Sequence, residues 1–219
     1  MPIFSLRNLS LKMCLASVLL VIGTLAIPYN SVASAEREEL AGDLKTIIRT
    51  GQDFERNRSW AKAIEIYEQG LEKWTHTDLE YGLRRSKIHF AIERRYDDSS
   101  FRQSLGEMSR ENAIDVLEEV MGKVRGNYVD NISETSFLAH GTESLYLALS
   151  NKRFLEENLS DIQPIRIQTL RKALREHYWN RPVNDHEDGI EMVREVCALT
   201  RDEIGLSASS TVMEYIFGG

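Results

Sequence analysis

The chain has 219 residues, 28% of them charged, with 27 Lys plus Arg against 34 Asp plus Glu and a net charge of −7. That acidic balance argues against a nucleic-acid partner, which needs an excess of Lys and Arg to neutralise phosphate. The length suffices for one domain or two small ones built around an apolar core.

Residues 1–35 fall into three zones: a start carrying Arg7 and Lys12, an apolar run from Met13 to Ile27, and a polar stretch ending Ala33-Ser34-Ala35. This is the layout of a secretory signal peptide, with cleavage expected after Ala35. The apolar run of 15 residues is short for crossing roughly 30 Å of hydrocarbon at about 1.5 Å per residue. An uncleaved N-terminal anchor is the alternative. Cys14 stands at the start of the apolar run instead of ending it, which argues against a lipid-modified cysteine. Removing residues 1–35 takes away Arg7 and Lys12 and no acidic residue, so 27 basic residues become 25 against 34 acidic, a net charge of −9 on 184 residues. Cys197 then remains as a lone thiol, unable to form an internal disulfide, and is expected as a small buried apolar residue on a helix.

The chain has four prolines, Pro2, Pro28, Pro164 and Pro182, and none between Ala35 and Gln163. Proline-free stretches rich in Glu, Lys, Arg, Leu and Ala favour helix. No run alternates with period two, so the expected fold is all-α: antiparallel helical hairpins followed by a small helical bundle. The first recognisable window holds Gly51, Phe54, Ala63, Tyr67 and Gly70, with Trp60 between. It resembles a tetratricopeptide unit over Leu44–Thr77, with Ile47 for the usual aromatic, Gly70 for alanine and Thr75 for the closing proline. Gly51 and Ala63 are expected to let two helices approach closely, Phe54 and Tyr67 to fill the space beside them, and Asn57-Arg58-Ser59 to form the turn. A further helix, about Leu79 to Tyr96, does not restart the pattern and caps the hairpin. A single unit rarely offers a concave surface, so a structural hairpin is expected in preference to a peptide groove. On that capping helix Arg84, Arg85, Lys87, Arg94 and Arg95 make a basic patch beside Glu93, Asp97 and Asp98, and ion pairing across turns is the expected use, with an acidic partner surface as the alternative.

Ser109 precedes the next helix with Asn112 three residues on, and Leu117, Val120, Val124 and Tyr128 recur at spacings of three and four. Asn127 to Asn131 is a break, and Ser133 stands where the following cap belongs. Pro164 fits a first helical turn, Ile167, Leu170, Leu174 and Tyr178 form that helix's stripe, and Asn180-Arg181-Pro182 ends it. Asp185 is the next cap, Ile190, Val193, Cys197 and Ile204 the next stripe, Gly205 its close, and Ser207 the start of the last helix.

The stretch Ile114-Asp115-Val116-Leu117-Glu118-Glu119-Val120, then Asn127-Tyr128-Val129-Asp130, then His140-Gly141-Thr142-Glu143-Ser144-Leu145 and Ala148-Leu149 resembles the N-terminal helical region of carboxyl-terminal processing, or tail-specific, peptidases. The last helix, Thr211 to Gly219, resembles the segment that leads into a PDZ domain in that family. The resemblance covers roughly Leu105 to Gly219 and implies an exported serine endopeptidase with a Ser-Lys pair acting on the C-terminal ends of other proteins. Its nucleophile, general base and PDZ domain would lie beyond Gly219, so no catalytic residue is carried over. It also implies that the face of Val124 and Tyr128 packs against a neighbouring domain or subunit.

His177, His186, Glu187 and Asp188 are close in sequence but poorly spaced for a metal, with Pro182 between the two histidines. No Walker-type or dinucleotide loop is present, and no cofactor is expected. Asn57-Arg58-Ser59, Asn131-Ile132-Ser133 and Asn158-Leu159-Ser160 are formal glycosylation sequons. The sequence thus divides into a signal peptide over 1–35, a tetratricopeptide-like hairpin with its capping helix over 36–104, and a peptidase-like helical region over 105–219. The expected function is a scaffolding or assembly role as the exported helical region of a tail-specific peptidase. The alternative is a stand-alone periplasmic tetratricopeptide-like adaptor that binds a protein partner. Either way the partner is protein, whether a downstream peptidase domain, a subunit or another exported protein. A membrane would enter only through an uncleaved N-terminal segment, and the location is periplasmic or extracellular. Candidate packing or interaction residues are Phe54, Trp60, Tyr67, Val124 and Tyr128.

Overall fold

A computed structural model describes residues 29–127 and 133–219, with side chains from Gly42 onward except over 125–132. The first 28 residues of the expected signal peptide over 1–35 and the expected surface residue Tyr128 lie outside the described residues. Helices account for all the regular structure described: α1 (Tyr29–Arg56), α2 (Trp60–Leu71), α3 (Thr77–Asp97), α4 (Ser99–Glu107), α5 (Arg110–Asn127), α6 (Glu134–Ala148), α7 (Lys152–Asn158), α8 (Pro164–Ala173), α9 (His186–Ile204) and α10 (Ala208–Gly218). A π turn, Leu174–Tyr178, continues α8. The fold is all-α, as the spacing of apolar residues requires.

Most helix starts sit where side-chain chemistry places them. Ser133, Asp185 and Ser207 accept from the backbone N–H three residues on, and Ser109 does the same for Asn112. Each bond satisfies one of the donors that a helix start leaves without an internal partner. Pro164 occupies the first turn of α8, where its missing N–H costs nothing. Gly205 ends α9 at φ 73°, a left-handed cap that an L side chain would strain.

Residues 42–219 form one compact unit. Inside this unit a small apolar cluster of Ala63, Tyr67 and Leu79 gathers Leu44, Ile47, Ile48, Phe54, Leu71, Trp74 and Leu83 around it. Tyr67 is the centre of this cluster. A Cβ added to Gly51 or to Gly82 would stand 2.5 or 2.4 Å from its ring, so two glycines on two helices open the slot that it fills. The first glycine was expected to serve close helix approach; the second is visible only in the fold. The large core runs from Ile92 and Tyr96 on α3 through α5, α6 and α9 to Val212, Met213 and Tyr215 on α10. Helix α3 therefore contributes Leu79 to one cluster and Ile92 to the other.

Helix α10 is the central rod of the large core. Seven consecutive residues, Ser209 to Tyr215, are buried, so the helix is enclosed all round and does not present a single apolar stripe. Its nearest neighbour is α6, and α5 and α9 flank it. The approach to α6 depends on Gly141, where a Cβ would come within 2.8 Å of the Tyr215 Cα.

Candidate functional site

Helices α3 and α6 and the α8–π segment enclose an open groove of about 1000 Å³. Its walls include Tyr81, Arg84 and Arg85 from α3, Ser136, His140, Glu143 and Tyr146 from α6, and Arg171, Arg175 and Trp179 from α8 and the π turn. Tyr81 is 62% exposed at its edge.

The α3 arginines correct one sequence expectation. They do not pair along their own helix. Arg84 Nε donates to Glu143 on α6 at 2.7 Å, Arg85 Nη2 to Glu55 on α1 at 2.7 Å, Lys87 pairs with Glu68 on α2 at 2.8 Å, and Arg95 with Glu214 on α10 at 2.9 Å. The acidic neighbours are occupied elsewhere: Glu93 accepts from Trp60 Nε1 at 2.7 Å, Asp97 pairs with Arg153 at 2.9 Å, and Asp98 caps α4. Four of the five basic side chains thus tie α3 to four other elements, because they radiate to carboxylates that folding brings up from distant sequence, while Arg94 lies over Phe90 on α3 itself.

On the opposite wall two arginines are built around one tyrosine. The Arg171 and Arg175 guanidinium carbons lie 4.0 and 5.0 Å from the Tyr146 ring centroid. Arg171 Nε donates to the Tyr146 carbonyl at 3.1 Å and Arg175 Nη2 to the Tyr146 hydroxyl at 2.8 Å. Trp179 meets the same ring edge-on at 5.0 Å. Burial pulls the Arg171 guanidinium below its usual value; Tyr146 opposes this and the charge of Arg175 adds to it.

The π turn explains how one ring receives three partners. Residues spaced by four on an α-helix drift by about 40° per step. The wider turn, closed by Trp179 N–H to the Leu174 carbonyl at 3.0 Å, offsets that drift and brings Trp179 onto the ring already stacked by Arg171 and Arg175. Insertions of this kind recur at functional sites.

Ser136, His140 and Glu143 share this face of α6 and carry residue types used in nucleophilic catalysis. Among the described residues no hydrogen bond joins them, and Glu143 is committed to Arg84. Burial lowers the His140 pKa, with Arg84 adding in the same direction. What the groove presents is cationic, aromatic and hydroxyl surface suited to binding.

The residues singled out from sequence lie elsewhere. Phe54 is half-buried with Lys62 over its ring, Trp60 stacks on His89 at 4.3 Å, Tyr67 fills the glycine slot, and Val124 packs against the large core. Cys197 is buried on α9, and burial pushes its thiol up to about 11. His186 Nδ1 lies 3.4 Å from Glu134, Asp188 accepts from the Asn184 N–H, and among the described residues no group of three or more potential ligands converges on a metal position. Tyr146, Arg171, Arg175 and Trp179 were not expected. The available signal was the spacing of four that links Arg171, Arg175 and Trp179, which an α-helical reading already puts on one face with a drift of about 80° over the two steps.

Fold and groove together define an all-helical unit with an arginine-and-aromatic cleft between three of its elements. Comparison with family models, curated proteins and solved structures gives no match.

Proposed function

We propose that the chain is a non-catalytic helical docking module whose α3–α6–π groove receives a segment of another polypeptide. The observation that carries this reading is the groove itself: about 1000 Å³, open along its length, with aromatic faces and unspent hydrogen-bond donors on walls held by separate helices. Clefts of that size with a few placed polar groups are the usual form of binding sites. Export, with cleavage after Ala35, belongs to the same proposal and places the partner in the periplasm or outside the cell.

Site-specific photo-crosslinking tests it. With p-benzoylphenylalanine replacing Tyr81 in the groove, a discrete polypeptide adduct identified by mass spectrometry is expected in cells, and none with the same group replacing the exposed Glu111 on α5. No adduct from Tyr81, or the same adducts from both positions, would refute the docking role.

A second reading, as the helical region of a tail-specific peptidase, draws on one packing fact. The stretches that carry the resemblance are α5, α6 and α10, and α10 packs directly on the other two. In that case docking would serve assembly with peptidase domains. An endogenous product far heavier than 25.1 kDa on immunoblots would support this reading as one continuous chain; with a product at or below that mass, failure of the Tyr81 crosslink to capture a serine peptidase would exclude it.

A further inference from the structure

We infer that Arg171 and Arg175, mounted on Tyr146, form a carboxylate-binding subsite, and that the groove's occupant is an acidic polypeptide segment. This rests on the docking role above and names the chemistry of its partner.

Like charges four residues apart on one helix repel, by a few tenths of a kcal/mol at an exposed site. The two arginines on the facing wall are relieved by carboxylates, Arg84 by Glu143 and Arg85 by Glu55. Arg171 and Arg175 are not: among the described residues their partners are the ring, hydroxyl and carbonyl of Tyr146. The remaining carboxylate of the groove lining, Asp78, lies against His76 at the start of α3. Two adjacent cations therefore stand uncompensated in the groove of a protein whose net charge is −7.

Their attachment leaves them poised for oxyanions. Arg171 spends Nε on the backbone and keeps both Nη groups; Arg175 spends one Nη on the phenol and keeps Nε and the other Nη. Each guanidinium has five N–H donors in a rigid fork, so most remain available to a carboxylate. Stacking on the phenol ring holds the two planes in place before a ligand arrives, which lowers the entropy lost on binding. The groove is much larger than a single small anion, and Trp179, Tyr81 and Tyr146 supply apolar faces beside the cations. An acidic stretch of polypeptide fits both features.

Three probes distinguish the possibilities: a fluorescein-labelled decapeptide alternating Glu with Leu, its Gln counterpart, and inorganic phosphate. Anisotropy titration of the whole mature protein is expected to show the Glu peptide binding at least tenfold tighter than the Gln peptide, with affinity falling as salt rises. Arg175→Gln, an exposed position whose loss leaves the core intact, is expected to remove most of that preference. Tyr146→Phe, which cuts the phenol tether while keeping the ring, is expected to weaken the Glu peptide about threefold. Equal binding of the two peptides overturns the carboxylate subsite and leaves docking standing. Absence of peptide binding overturns it too, and the Tyr81 crosslink then decides whether docking itself survives. Phosphate bound without either peptide would make the pair a small-anion site and overturn the acidic-segment assignment.

Discussion

His89 shows how a buried polar group is made neutral by its surroundings. Asn151 uses Oδ1 to cap α7, accepting from the Arg153 and Phe154 N–H groups at 3.0 and 3.2 Å, so its Nδ2 must donate to His89 Nδ1, 3.3 Å away. That donation fixes the proton of the neutral ring on Nε2. Burial lowers the pKa to about 4, and Arg85, Arg171 and Arg58 push the same way. In the unfolded chain the imidazole takes up its proton near pH 6.5, whereas the folded one resists until about pH 4. Stability from this group is therefore complete above pH 6.5 and falls across that window, by about 3 kcal/mol. Chemical unfolding of the wild type and of His89→Leu at a series of pH values should show that the variant lacks this part of the slope. Parallel curves would show that the imidazole is not held neutral.

At the scale of elements, the buried pair of Arg95 and Glu214 joins α3 to the central helix. The Glu214 side chain is fully buried, accepts from Arg95 Nη2 at 2.9 Å and from the Ser144 hydroxyl at 2.8 Å, and thus holds α3, α6 and α10 together. Burial pushes its carboxyl up, while Arg95 and Ser144 draw it down. Arg95 in turn lies 4.5 Å over the Phe217 ring, which covers it from solvent. Removing one member leaves the other charged and unmatched, so Glu214→Leu is expected to cost about 3–5 kcal/mol. Replacing both, with Arg95→Met and Glu214→Leu, should recover most of that loss. Urea unfolding of the two variants measures the difference, and a double variant as weak as the single one would mean that the pair does more than cancel its own desolvation.

For the whole molecule the decisive fact is that α3 contributes to both apolar clusters. Its first turns seat Leu79 beside Tyr67, and its later turns place Ile92 and Tyr96 in the large core. Melting the hairpin of α1 and α2 away from α3 would expose the Tyr67 slot, and unfolding the bundle would remove the helix on which that slot is built. Residues 42–219 are therefore expected to unfold in one transition, with equal calorimetric and van't Hoff enthalpies. Two resolved transitions would show that the hairpin is an independent unit.

Local chemistry reached the helices and their ends. Ser109, Ser133, Asp185 and Ser207 declare helix starts because a cap needs only a side-chain oxygen and a backbone N–H three residues away, and Gly205 declares a stop because the left-handed cap tolerates little else. The all-α class followed from apolar spacing for the same reason, since a helix repeats every 3.6 residues whatever it packs against. Partners are another matter. Arg84 finds Glu143, Arg95 finds Glu214, and Arg171 and Arg175 find Tyr146 across separations that no local rule spans. The π turn that sets Trp179 beside them shifts the register of its own helix. The groove exists only because three helices with individually ordinary faces are held at fixed positions by the core beneath them, so tertiary packing alone decided where its charges converge.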